Sequence, residues 1–155
     1  MLRIKPHHFL DILRDYGAGR VWEPHPYGHA LHTVARSLLD NREQPLELVL
    51  DADDICDPCR MNDNGTCTDW TESPGYRIRK EDWNRRIDER ILELFELVEG
   101  TVISAAGFAR LALGHLDTMH TVWREQPKER TQERVRNLTC GLSAYLSGDE
   151  ESRQK

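Results

Sequence analysis

Three cysteines lie within twelve residues of one another, and they do so inside the most acidic stretch of the chain. Asp51 to Glu72 holds seven acids (Asp51, Asp53, Asp54, Asp57, Asp63, Asp69, Glu72) against one base, Arg60, and also holds Cys56, Cys59 and Cys67. Its charge of −6 equals the formal net charge of all 155 residues. Thiolates in such a segment repel their neighbours unless a cation sits among them. Cys56-Asp57-Pro58-Cys59 is a C-x2-C step, which lets two sulfurs converge on one metal from a single turn. Asn62-Asp63-Asn64-Gly65 is a turn signal that can bring Cys67 back towards them. The alternative, buried free thiols in a core, fits poorly with so polar a segment. Cys140 is the one remaining cysteine and can supply a fourth thiolate. On a helical wheel it lies off the Val135, Leu138, Leu142 stripe. A histidine, water or an open position are its competitors. Sulfur ligation suits zinc or an iron–sulfur cluster.

The rest of the chain reads as one small, mostly α domain over residues 1–147, with at most two short strands. The metal-binding loop covers 51–74, and a polar tail follows over 148–155. Leu2 to Lys5 fits a strand, and Pro6 suits the first turn of a helix through Leu13 that ends at Gly17 and Gly19. Leu31, Val34, Ala35 and Leu38 form the apolar stripe of a second helix over Gly28 to Asp40. Leu46, Leu48 and Leu50 alternate as a strand. Trp83, Ile87, Ile91, Leu94, Phe95 and Val98 trace a long helix over Lys80 to Glu99. A further helix capped by Thr101 or Ser104 reaches Trp123, and a last one spans Glu129 to Leu146.

Several function classes are excluded or disfavoured. The acidic balance argues against a nucleic-acid partner. No apolar run approaches the ~20 residues of a membrane helix. Met1 to Leu10 carries Arg3, Lys5, His7 and His8 and no apolar leader core, so the expected compartment is the cytoplasm, where structural disulfides are rare. There is no P-loop, dinucleotide fingerprint, H-E-x-x-H or G-x-S-x-G.

The segments Leu2-Arg3-Ile4-Lys5-Pro6-His7-His8-Phe9-Leu10, Gly17-Ala18-Gly19, Asp53-Asp54-Ile55-Cys56-Asp57-Pro58-Cys59 and Asn64-Gly65-Thr66-Cys67 resemble the domain of unknown function 1284 family. The resemblance covers residues 1–70. It implies iron–sulfur binding rather than zinc, and it implies no reaction. Two departures stand out. The family often has a cysteine soon after the paired histidines, where this chain has Asp11, and it often ends in a further C-x2-C group, where this chain offers Cys140-Gly141-Leu142-Ser143.

The expected function is therefore an iron–sulfur protein with one cluster, [4Fe-4S] favoured, held by Cys56, Cys59, Cys67 and Cys140. Its role would be electron transfer or sensing, with a redox protein or a small molecule as partner. One alternative is a structural zinc site in a helical interaction module. Another is a non-redox iron–sulfur enzyme with three cysteine ligands, an open iron, and His7 or His8 as acid–base. Adjacent helical positions point about 100° apart, so His7 and His8 are not expected to share a ligand. His25, His29 and His32 would share a face only on a continuous helix, which Pro26 opposes. Arg3 and Lys5 are read as surface charges, with an anionic ligand as the other possibility.

Overall fold

The computed structural model describes residues 1–73 and 75–154. A three-stranded sheet forms the floor. Its strands are β1 (Leu2–Ile4), β2 (Pro45–Leu48) and β7 (Val102–Ser104), in the order β1-β2-β7. β1 runs parallel to β2, with Leu2 opposite Leu46 and Ile4 opposite Leu48. β7 is antiparallel to β2, with Ile103 opposite Leu46. Ile4, Leu46 and Leu48 are fully buried and join the helical core.

Among the described residues five α-helices pack around this sheet: α1 (Pro6–Gly17), α2 (Leu31–Asp40), α3 (Lys80–Leu94), α4 (Ala105–Gly114) and α5 (Lys128–Gln154). Pro6 opens α1, where its missing N–H costs no hydrogen bond. Phe9, Leu10, Ile12 and Leu13 are buried against Leu138, Leu142 and Tyr145 of α5, Phe108 of α4 and their neighbours. The α1–α5 contact is a backbone contact. A Cβ on Gly141 would overlap the Leu13 carbonyl oxygen, and one on Gly17 would overlap the Asn137 carbonyl oxygen. Tyr145 closes the far end by donating its hydroxyl hydrogen to the Leu38 carbonyl at 2.8 Å.

The mostly helical reading holds, but the strand count does not. Among the described residues seven strands in three sheets replace the expected two at most. The extra ones come from β7 and from two hairpins, one inside the segment read as loop, β3 (Asn62–Asp63) with β4 (Thr66–Cys67), and one that starts in it and runs past its end, β5 (Trp70–Ser73) with β6 (Tyr76–Arg79). Asn64 and Gly65 both have positive φ, the geometry that an Asn-Gly hairpin turn requires. Pro74, the expected end of the loop, lies outside the described residues, as does Lys155.

Helix ends moved for identifiable reasons. α3 stops at Leu94 rather than Glu99, because Glu96 takes a left-handed conformation. Leu97 N–H then donates to Leu92 O and Glu96 N–H to Glu93 O. This is a Schellman closure made without glycine. The helix expected to reach Trp123 ends at Gly114. His115 turns its Nδ1 onto the Leu111 carbonyl at 2.7 Å, and a short 3-10 helix covers Met119–Trp123. Ser104 is the cap of α4, accepting from Gly107 N–H at 3.0 Å. α2 begins at Leu31 instead of Gly28, and α5 continues to Gln154 where the stripe suggested an end at Leu146.

A charged clamp fastens α3 to the 3-10 segment. Arg90 donates to Glu125 Oε2 at 2.8 Å and to the Val122 carbonyl at 3.0 Å. The Arg90 hydrogen bonds outweigh partial burial and bring the Glu125 carboxyl from the usual 4.5 down to about 2. A carboxylate depressed on folding contributes stability that is present above pH 4.5 and is lost as pH falls through 2. Glu125→Gln should therefore cost about 1 kcal/mol at pH 7. The cost should vanish at pH 2, as read by urea unfolding at both pH values.

Candidate metal centre

The cysteine loop is organised by one fully buried carboxylate. Asp53 Oδ2 accepts the Lys5 backbone N–H at 2.7 Å and lies 2.7 Å from His8 Nδ1. Oδ1 accepts the Ile55 and Cys56 backbone N–H groups, each at 3.0 Å. The neighbouring Asp54 N–H donates to the Arg3 carbonyl, and Asp54 Oδ2 accepts the Arg3 N–H at 2.9 Å. The end of β1, the first turn of α1 and the start of the cysteine turn are thus tied at one point. Burial alone would raise the Asp53 carboxyl, but His8 and the donated hydrogen bonds outweigh it and hold it well below the usual range. Burial alone would lower His8, and the Asp53 carboxylate outweighs that and raises it.

Cys59 N–H donates to the Cys56 carbonyl at 2.8 Å, and Asn62 N–H donates to the Cys59 carbonyl at 3.0 Å. The β3–β4 hairpin sets Cys67 opposite Asn62. Glu81, in the first turn of α3, holds the Cys67 N–H at 3.0 Å. These turns bring Cys56, Cys59 and Cys67, all half-buried free thiols, to the lining of one cavity of about 340 Å3. Burial and the nearby Asp53 charge push the Cys56 thiol up to about 12. Without a cation it stays protonated at neutral pH, so it is no ready nucleophile. Loading such a site means exchanging thiol protons for a metal charge.

Cys140 is not brought to this cavity. It is exposed on α5 and absent from the lining. Arg134, which does line the cavity and meets Asp11 at 2.9 Å, is six residues earlier on the same helix, about 9 Å along its axis.

His7 and His8 both line the cavity, and of the two only His8 stands in a group of potential metal ligands among the described residues. Their ring centres are 4.3 Å apart. Each is oriented by its own fully buried carboxylate. His7 Nδ1 lies 2.9 Å from both Asp88 oxygens, and its backbone N–H donates to Asp88 Oδ1 at 2.7 Å. Asp53 holds the His8 ring through Oδ2 alone, and the His8 backbone N–H donates to the Lys5 carbonyl instead. With both Nδ1 atoms engaged, Nε2 of each ring is the nitrogen left to meet a ligand or carry a proton. Asp88 escaped sequence reading. The available signal was an acid three residues before Ile91 and four before Leu92, on the buried face of α3.

Ligand atoms of His8, Asp53 and Cys56 all lie within 4.8 Å of one another. Asp53 already serves three backbone N–H groups and one ring, so coordination by it would cost that scaffold. The three-histidine face does not form. His25 and His29 both precede α2, stacking on each other with ring centres 4.4 Å apart, and His29 alone of the three lines the cavity. Lys5 is not a surface charge: it is 2% exposed and lines the cavity.

The family described as "Protein of unknown function (DUF1284)" matches residues 25–136. The chain belongs to this family. The family match takes in Cys56, Cys59 and Cys67, begins after the paired histidines and ends before Cys140. No curated protein and no solved structure matches the chain. Among the described residues no helix is long and apolar enough to cross a membrane.

Proposed function

We propose that this protein binds an iron–sulfur cluster, [4Fe-4S] favoured, through Cys56, Cys59 and Cys67, and that the cluster serves a small molecule held in the adjoining cavity. The observation that carries this reading is the placement of three free thiols on the lining of one cavity. The donor set is sulfur-rich and the cavity also offers imidazole, which suits iron–sulfur chemistry. When bound, a cluster with three cysteine ligands supplies either one-electron chemistry or an iron free to act as a Lewis acid. The chain's own residues would do the rest. Asp53 holds the cysteine turn in shape, and Asp88 and Asp53 fix the two imidazoles so that His7 Nε2 and His8 Nε2 can take up or release a proton at a bound ligand. A cluster at a cavity favours a small-molecule ligand over a flat docking surface for a redox protein. Zinc is the second reading, supported by the clustered His8, Asp53 and Cys56 atoms. The commitment of Asp53 to four hydrogen-bond partners weighs against it.

The test is metal content and absorption of protein made in iron-replete cells and purified without oxygen. About four irons with matching sulfide and a broad band near roughly 400 nm are expected. One zinc with no visible band would establish the second reading in its place. No bound metal would overturn both.

A further inference from the structure

The cations that line the cavity are, with one exception, accounted for. Arg14 lies 3.0 Å from Asp15 and 3.2 Å from Asp11. Arg134 lies 2.9 Å from Asp11, Arg20 lies 3.5 Å from Asp15, and Lys80 lies 3.0 Å from Asp69. His7 and His8 have Asp88 and Asp53. Lys5 has no carboxylate within 4.0 Å and no hydrogen-bond acceptor for its ammonium among the described residues. Its backbone is tied down, since the N–H donates to Asp53 and the carbonyl accepts from His8 and Phe9. The residue is nonetheless only 2% exposed, and it lines the cavity.

An ammonium taken out of water without a partner is costly. Here the charge is also close enough to His8 and Cys56 to act on both. Adding a negative group beside it would relieve the cost and offset the repulsion from a protonated His8. The cavity, at about 340 Å3, is at the small end of the roughly 300–1,000 Å3 typical of ligand sites.

We infer that Lys5 anchors the carboxylate of a small organic acid bound in this cavity, beside the cysteines and the two histidines. One unmatched positive charge suits a monoanionic carboxylate better than a phosphate dianion. The two oxygens of a carboxylate can accept from Lys5 and from a neighbouring histidine Nε2–H together. The inference rests on the reading of this cavity as the ligand site and names the class of ligand. It does not require that the metal be iron.

The test titrates the full-length protein, as isolated and with its metal content measured, with sodium acetate, sodium lactate and inorganic phosphate at constant ionic strength. Backbone amide shifts near Lys5, His8 and Cys56 report binding. Lys5→Met and Lys5→Arg are titrated alongside, with circular dichroism and Tm as checks on folding. Saturable binding of a carboxylate is expected. Lys5→Met should weaken it about tenfold or more, Lys5→Arg should retain most of it, and metal content should be equal in all three. Absence of saturable binding to the wild-type protein would overturn the inference whatever the metal content. So would equal affinity in Lys5→Met, or tighter binding of phosphate than of either carboxylate. Loss of metal from Lys5→Met would overturn it as well, by assigning Lys5 to the charge balance of the thiolates. Failure of the metal reading is seen separately, in the metal assay.

Discussion

Cys59→Ser is expected to empty the metal site, whereas Cys140→Ser leaves iron content and absorption at the wild-type level. Cys59 lines the cavity and is one of only three thiols there. Serine keeps the size but offers a hydroxyl that does not ionise at neutral pH and is a hard donor, poorly matched to iron in a cluster. Losing one ligand of three should cost at least the ten- to hundredfold in affinity, roughly, that follows when a merely supporting contact is removed. Cys140 is exposed on the outer side of α5, so its thiol contributes neither to the cavity nor to the core. The measurement is iron and sulfide per chain on anaerobically purified variants, with the visible spectrum as a second readout. Equal loss in both variants would return the four-cysteine site and require α5 to approach the loop. Retention of iron in Cys59→Ser would remove the cysteine centre altogether.

The second large effect concerns the scaffold. Gly141→Ala should destabilise the fold by about 3 kcal/mol or more, at or beyond the upper end of ordinary overpacking. A methyl group there meets the Leu13 carbonyl and the Gly17 backbone nitrogen, not a flexible side chain. Relief demands that two helices separate, and α1 carries His7 and His8 into the cavity, with Lys5 just before its first residue. The consequence should reach the site, with metal affinity falling as stability does. Gly114→Ala is the control. Nothing lies within 4 Å of the added methyl, and alanine is the better helix residue, so stability should be unchanged or slightly raised. Urea unfolding of the two variants separates the cases. A tolerated Gly141→Ala would contradict the close α1–α5 contact.

Much of this architecture was legible in the residues. The stripe of α5 appears in the structure as buried Leu138, Leu142 and Tyr145, and the Asn64-Gly65 turn that returns Cys67 towards its partners is where the sequence puts it. Composition along one helix is enough for such features, because they depend on neighbours three or four residues away. Asp88 and Lys5 were beyond reach for the opposite reason. Asp88 meets His7 across 81 positions, and the backbone N–H that fixes Lys5 in place meets Asp53 across 48. A residue gives no sign in sequence that the group holding it will arrive from so far away. The helix end at Glu96 was hidden differently: the left-handed position is filled by a residue that usually avoids it, so the punctuation was missing. Cys140 was assigned as the one cysteine left over, and spacing says nothing about whether a residue so distant in sequence reaches the loop; it is exposed on α5, away from the cavity lining.

Asp53 has a consequence for both sides of the cleft. A single side chain holds an amide from the start of α1, a ring from its first turn and two amides of the cysteine turn. Oδ2 serves the imidazole side of the cleft and Oδ1 the sulfur side, so removing this one carboxylate takes hydrogen bonds from both sides together.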